Sequence, residues 1–318
     1  MKFNFRLLAT YTALLLIVAC AKDDIRKSGP GTPGKPDTIT VTPPTTNPDP
    51  GTVPGDNGHL LLGNPTEAQS NLVFIENFLM NQTYFMEAYS KNAGIPVWVS
   101  WHLQTEDCPG TVDRSNDFRP DPSLPQGWYQ VSASSYNGSV SGFDRGHNCP
   151  SGDRTATKEA NSSTFLMTNM IPQAAALNQV PWANMEDFIR QQVKNGNEAF
   201  IVMGAYGKGG RGKGQTEFIE TLDQKNITVP KQVWKVVVII PKGVNDLARV
   251  DANATVIAVD MPNDNDLYSG TGKTTAWKDY LCTVETLETK ANAAGVPLNL
   301  FKNIPEGIRT QLKKKLYH

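Results

Sequence analysis

Apolar and polar residues alternate in several distinct ways along the chain, and each predicts a different kind of segment. Leu7–Val18 is a mostly apolar run behind Lys2 and Arg6, too short to span a bilayer comfortably. Residues 21–58 contain almost no large apolar side chains. Regular patterning begins near Leu60. Asn71–Met80 is a short amphipathic segment. Tyr84–Ser90 and Val97–Gln104 read as two strands across a turn at Asn92-Ala93-Gly94, and Trp128–Ser134 reads as another. Ala199–Ala205, Trp234–Ile240 and Thr255–Asp260 are apolar runs of strand length, which predicts buried strands. Asn184–Lys194, Trp277–Ala291 and Glu306–Leu316 read as helices. Strands and helices mix without βαβ alternation, so the pattern predicts an α+β fold.

Three parts follow. Residues 1–20 read as a signal peptide ending Ile17-Val18-Ala19-Cys20, which resembles a bacterial lipobox with Cys20 as the lipidation site. Several acyl chains on one cysteine anchor firmly, each buried methylene adding about 0.8 kcal/mol. Ala21-Lys22-Asp23-Asp24 resembles a lipoprotein surface-export signal, so the expected location is the outer membrane, facing outward. Residues 21–58 hold eight of the 22 prolines. Such a segment cannot bury enough surface to offset its ordering entropy and reads as a semi-extended tether. Residues 59–318 form the folded domain.

Composition narrows the function. A mean hydropathy of -0.37 excludes a polytopic membrane protein. The net charge of -1 argues against a stoichiometric nucleic-acid coat, which is usually strongly basic. It does not argue against an enzyme that releases its product, because a local arginine cluster suffices to hold phosphate. With no Cys-x-x-Cys pair and four histidines, a structural zinc site is not expected. Outside the cytosol one disulfide among Cys108, Cys149 and Cys282 is expected, with the pairing open. His102, flanked by Trp101 and Leu103, reads as a packed strand residue.

Candidate chemistry concentrates in residues 144–190. Phosphodiester hydrolysis needs a base for water, positive charge for the transition state and help for the leaving oxygen. His147 is a suitable base. Gly146 before it allows a close approach or an unusual backbone angle. Arg145 offers a planar fork for phosphate. Asn178 offers a neutral amide oxygen to a hydrated magnesium-like ion. If Asn178 opens a helix with Pro181 in its first turn, Trp182 and Glu186 share its side, Glu186 reaches metal-bound water, and Arg190 extends that side toward phosphate. Arg114 and Arg119, in the polar loop Thr111–Pro125, are further candidates for phosphate. Taken singly, each residue has an ordinary structural explanation: an N-cap, an exposed i,i+4 pair, a core tryptophan.

Together, Asp144-Arg145-Gly146-His147, Thr168-Asn169-Met170-Ile171-Pro172-Gln173, Leu177-Asn178-Gln179, Trp182 and Met185-Glu186 resemble the DNA/RNA non-specific endonuclease family, densely over 144–190 and diffusely over about 60–310. The resemblance implies a ββα-metal (His-Me finger) nuclease fold, its central mixed or antiparallel sheet flanked by helices. It implies His147 as general base, Asn178 as sole protein ligand of Mg²⁺ (Mn²⁺ as the alternative), and Glu186 holding metal-bound waters. Arg145 and Asn169 support the site and the phosphate, and Arg190 matches a family arginine. Arg114 fits the family's upstream phosphate-binding arginine, with Arg119 its rival. The implied substrates are DNA and RNA, cut to 5′-phosphate ends with low sequence specificity.

Two other readings stand beside this one. A surface lipoprotein that binds without catalysis would be expected to lack His147 or Asn178, and both are present. Gly207–Gly214 satisfies Gly-x4-Gly-Lys but has Gly214 where a P-loop needs Ser or Thr, so it reads as a flexible basic loop.

Overall fold

The computed structural model describes residues 56–270 and 276–318. The expected signal segment, Cys20 and the tether up to residue 55 lie outside the described residues. The strands are β1 (Phe78–Asn81), β2 (Met86–Ser90), β3 (Ile95–Leu103), β4 (Phe143–His147), β5 (Met170–Ala174), β6 (Asn197–Tyr206), β7 (Thr221–Leu222), β8 (Ile227–Thr228), β9 (Gln232–Pro241) and β10 (Thr255–Pro262). Six of them form one antiparallel sheet in the order β1-β2-β3-β6-β9-β10. With its flanking helices this is the expected α+β architecture.

The central strands are buried on both faces, which is why they read as apolar runs rather than as alternation. Their two faces still separate by parity. Trp101, Ile201, Met203, Val237, Ile239, Ile257 and Val259 enter one core. Trp98, Phe200, Val202, Trp234, Val236, Val238, Val256 and Ala258 enter the other. Each aliphatic side chain so buried contributes about 1.5–3 kcal/mol relative to exposure. The even-position core is closed by Val284, Leu287 and Ala291 of the helix Val284–Ala293 and by Leu312 of the helix Glu306–Lys313.

The odd-position core carries the functional unit. β4 and β5 pair antiparallel from Phe143↔Ala174 to His147↔Met170. β5 then runs directly into a helical stretch: Ala175–Leu177, a π-turn over Asn178–Trp182, and the helix Ala183–Lys194. Its Trp182, Met185, Ile189 and Val193 pack onto the sheet.

Several elements differ from the sequence reading. Asn178 does not open the helix; it lies inside a run that begins at Ala175. Pro181 is therefore interior. It has no N–H to donate, and the π-turn takes up the disrupted ladder. Trp128–Ser134 is no strand: Trp128 N bonds Pro125 O and Ser135 N bonds Ser132 O, so the segment turns twice. Trp277–Ala291 is not one helix. After the short turn Trp277–Tyr280, Leu281 bridges Val259 and Cys282 N donates to Ala258 O, extending the sheet edge. Thr283 then caps a new helix by accepting from Thr286 N at 3.1 Å. In Asn71–Met80 turns lead into β1, with Leu72 and Val73 exposed. No disulfide forms among the described residues: Cys108, Cys149 and Cys282 are all free thiols, the first two in one core and Cys282 packed against the other.

Candidate active site

β4 delivers His147 at its end, and β5 makes room for it. A Cβ on Gly146 would lie 2.3 Å from Gln173 Oε1 and 2.6 Å from Gln173 Cβ. The glycine is thus required by a neighbouring side chain across the pair, not by a left-handed backbone angle. The imidazole is wedged edge-on between Phe165 (centroids 4.9 Å apart) and Phe118 (5.6 Å). His147 is only 9% exposed, and its Nε2 is buried without a hydrogen-bond partner. Burial, then the charges of Arg114 and Arg145, push its pKa down to about 3, while a hydrogen bond to the Arg145 backbone pulls the other way. The ring is neutral at pH 7, with a lone pair available.

Both cations named in that balance are fixed by aromatic faces. The Arg145 guanidinium stacks 3.9 Å from the Phe118 centroid and donates to Ala133 O at 3.0 Å. Arg114 lies 4.8 Å from the Phe165 centroid, donates through Nε to Asn116 Oδ1 at 2.9 Å and bonds Ser151 Oγ. The same two rings that clamp His147 therefore hold an arginine each. Burial weakens the Arg114 charge and Glu186 offsets that effect. A polar hollow of about 670 Å³ opens beside it, lined by Asp113, Arg114, Ser115, Lys158 and Ser162. Arg119 is not part of this group. It bonds Asp117 Oδ2 at 2.8 Å and Ser162 O at 2.9 Å, and its backbone orders the segment beside Phe165.

Asn178 is half-buried, and its Nδ2 donates to Asp144 Oδ2 at 3.0 Å. Its Oδ1 has no hydrogen-bond partner among the described residues. Further along the helix, Glu186 Oε1 accepts from Lys235 Nζ at 3.2 Å. Burial raises the Glu186 pKa, and Lys235 and Arg190 oppose this. Arg190 is engaged on both sides, Nη1 with Asp153 Oδ1 at 2.8 Å and Nη2 with Asp187 Oδ1 at 2.6 Å. Burial opposes its charge, but Asp153, Glu186 and Asp187 hold its pKa above the ordinary arginine value. Arg190 thus serves the helix–loop junction, and its fork is already occupied.

Asn169 is fully buried and acts on the backbone. Its Oδ1 accepts from Cys149 N, and its Nδ2 donates to Cys149 O and Thr164 O, all within 2.9 Å. It clamps the chain two residues beyond His147. Asp144, Gln173 and Lys235 complete the surroundings. The first two stood inside the recognised motifs without an assigned role. Lys235 had one visible sign: a charge at an inward position of an apolar strand.

His102 is a packed strand residue, as expected. Its Nε2 meets Glu198 Oε2 at 3.0 Å, and Asp246 lies close enough for the three to reach a common ion. Arg249 Nη2 already bridges Glu198 and Asp246, and Asn57 N donates to Asp246 Oδ2. A guanidinium supplies there the charge that a metal would bring. The Gly207–Gly214 loop also departs from a phosphate-binding loop. No helix follows it, and Arg211 pairs with Asp264 and Asp266.

Similarity to known proteins agrees with this geometry. A nuclease from Nostoc sp. (strain PCC 7120 / SAG 25.82 / UTEX 2576) is 38% identical over 259 residues, covering 81% of this chain and 85% of its own. Nuclease C1 of Cunninghamella echinulata var. echinulata is 32% identical over 203 residues, covering 61% of this chain and 75% of its own. Among solved structures, the EndoG/EndoGI complex matches with a TM-score of 0.60 at 21% identity, over 79% of this chain and 92% of that one, which shows the shared ββα-metal fold. The profile of the DNA/RNA non-specific endonuclease family matches residues 62–307. The chain therefore belongs to the DNA/RNA non-specific endonuclease family.

Proposed function

We propose that this member of the family is a metal-dependent, sugar-non-specific endonuclease that hydrolyses DNA and RNA to 5′-phosphate ends. The observation that carries the assignment is the buried, unpartnered Nε2 of His147, whose ring packs on the same two phenylalanines that hold Arg114 and Arg145. His147 acts as general base. As water attacks phosphorus its proton passes to the imidazole, the bond from phosphorus to O3′ breaks, and O3′ is protonated from solvent. The products are a 3′-hydroxyl and a 5′-phosphate. Arg114 and Arg145 hold the scissile phosphate. A phosphodiester between them offsets the charge that depresses His147 and lifts its pKa toward the range a base needs.

The donor set suits a hydrated Mg²⁺, with Mn²⁺ the alternative. Such ions prefer oxygen, keep most of their water and need few protein ligands. Asn178 Oδ1 is unpartnered while its amide nitrogen is tied back to Asp144, so it is available as the ligand. Glu186, with one oxygen held by Lys235, has the other for the ion's hydration shell. When bound, the cation neutralises charge on the phosphate and stabilises the leaving oxygen. Plasmid DNA and single-stranded RNA incubated with wild type, with and without Mg²⁺, test the reading. Cleavage in Mg²⁺, none with EDTA, and a loss of several orders of magnitude in a folded His147→Ala variant are expected. Equal cleavage by His147→Ala overturns the base assignment.

The N-terminus completes the proposal. Lipidation at Cys20 anchors the enzyme in the outer membrane, with the Pro-rich tether carrying it outward. Palmitate labelling that persists in Cys20→Ala would rule this out.

A further inference from the structure

Lys235 is the one charged residue among the inward odd positions of β9, between Val233 and Val237, and its side chain is 1% exposed. It lies mid-sheet, paired with Met203 on β6 and Val259 on β10, so its backbone cannot withdraw. An ammonium at such a place is costly unless paired. The pairing is specific. Nζ lies 4.6 Å from the Trp182 centroid and 5.6 Å from that of Trp101, and its carboxylate partner is Glu186 Oε1 at 3.2 Å. Trp101 is in turn fixed through Nε1 to Asp153 Oδ2 at 2.9 Å, and Asp153 holds Arg190, one helical turn beyond Glu186. Lys235 thus stands between two carboxylates, paired directly with Glu186 and linked through Trp101 to Asp153.

We infer that Lys235 is a positioning residue for Glu186: held in its indole cage, it pins Oε1 and leaves Oε2, which has no hydrogen-bond partner among the described residues, free for the reaction. The inference rests on the nuclease reading for its catalytic consequence. Stability alone does not explain the lysine, because a methionine or leucine packs a buried position at least as well as an ion pair. Fixing a carboxylate does explain it. A second consequence is electrostatic. The charged groups facing Glu186 are Lys235 from β9, Arg190 from its own helix, Asp153 from the turn Ser151–Asp153 and Arg114 from the loop before β4. Lys235 heads the groups that oppose its protonation.

The test uses the full chain with Lys235→Met, Glu186→Gln and the double variant. Lys235→Met is expected to lower kcat about 10–100-fold with little change in KM, the size seen when an outer partner of a metal-site group is lost. It should move the acid limb of the pH–rate profile upward. In the double variant the loss should not exceed that of Glu186→Gln alone. In metal-free protein the ¹³Cδ resonance of Glu186 should titrate at higher pH in Lys235→Met than in wild type. If Lys235→Met does not fold, Lys235→Gln, which keeps a donor without the charge, should show the same upward titration. Unchanged rate, acid limb and Glu186 titration, or additive losses in the double variant, overturn the inference. A wild type that cleaves nothing overturns the nuclease reading instead and leaves the carboxylate titration as the test of Lys235.

Discussion

Asn178 and Asp144 are joined by one hydrogen bond, Nδ2 to Oδ2 at 3.0 Å, between the helical run and the strand that carries His147. The bond settles which end of the carboxamide faces away from β4. Gln179 donates to the same oxygen at 2.9 Å, so Asp144 steadies two consecutive residues of the π-turn. Asp144→Ala should leave the fold intact, since Asp144 is only half-buried at the end of the site. It should raise the Mg²⁺ concentration for half-maximal plasmid nicking about 10–100-fold. An unchanged metal titration would show that Asn178 keeps its orientation without Asp144.

His147 gives a pH dependence with a definite sign. Its pKa falls from 6.5 in the unfolded chain to about 3 in the folded one, through burial first and then Arg114 and Arg145. Between those values the unfolded chain binds the extra proton. The stability linked to this group is complete above pH 6.5 and is lost as pH falls toward 3, at up to about 1.4 kcal/mol per pH unit. Imidazole NMR should find His147 neutral at pH 5 in wild type, and should find its titration shifted upward in Arg145→Met. A wild-type midpoint near 6.5 would mean that the ring is solvated rather than wedged between Phe118 and Phe165.

What was readable beforehand, and what was not, follows from the range of the interactions. β6 and β9 were readable because burial on both faces leaves an uninterrupted apolar run. The β4–β5–helix unit was readable because its short-range motifs crowd into one stretch. The break at Leu281–Thr283 was hidden, because it depends on a bridge to Val259 in another element. The start of the site helix is hidden because Pro181 fits a first turn, and only the π-turn reconciles it with an earlier start. Motif spacing favours Arg114 but leaves Arg119 a rival. The ring contact with Phe165 and the Asp117 pair separate them. Arg190 fits the family pattern in position, yet its fork is turned to Asp153, a residue that no local pattern singles out.

Glu87 carries the opposite sign, and its effect reaches the site through Thr168. It lies on β2 with 0% exposure, and burial followed by the Asp121 charge raises its pKa to about 8. Gln82 Nε2 bridges the two carboxyls, at 2.7 Å to Glu87 Oε1 and 2.6 Å to Asp121 Oδ2. Thr168 Oγ1 donates to the same Asp121 oxygen at 2.8 Å, and the next residue is Asn169, the clamp behind His147. Between pH 4.5 and 8 the folded chain holds a proton that the unfolded chain has lost. The stability linked to Glu87 is therefore complete below pH 4.5 and declines as pH rises toward 8, again at up to about 1.4 kcal/mol per pH unit. Glu87→Gln mimics the protonated acid and should flatten that decline. Urea denaturation of wild type and variant between pH 5 and 8 measures it, with the two curves diverging as pH rises. Parallel curves would mean that Glu87 is ionised in the native protein. The Asp121–Thr168 tie beside Asn169 would then tolerate a buried carboxylate at Glu87.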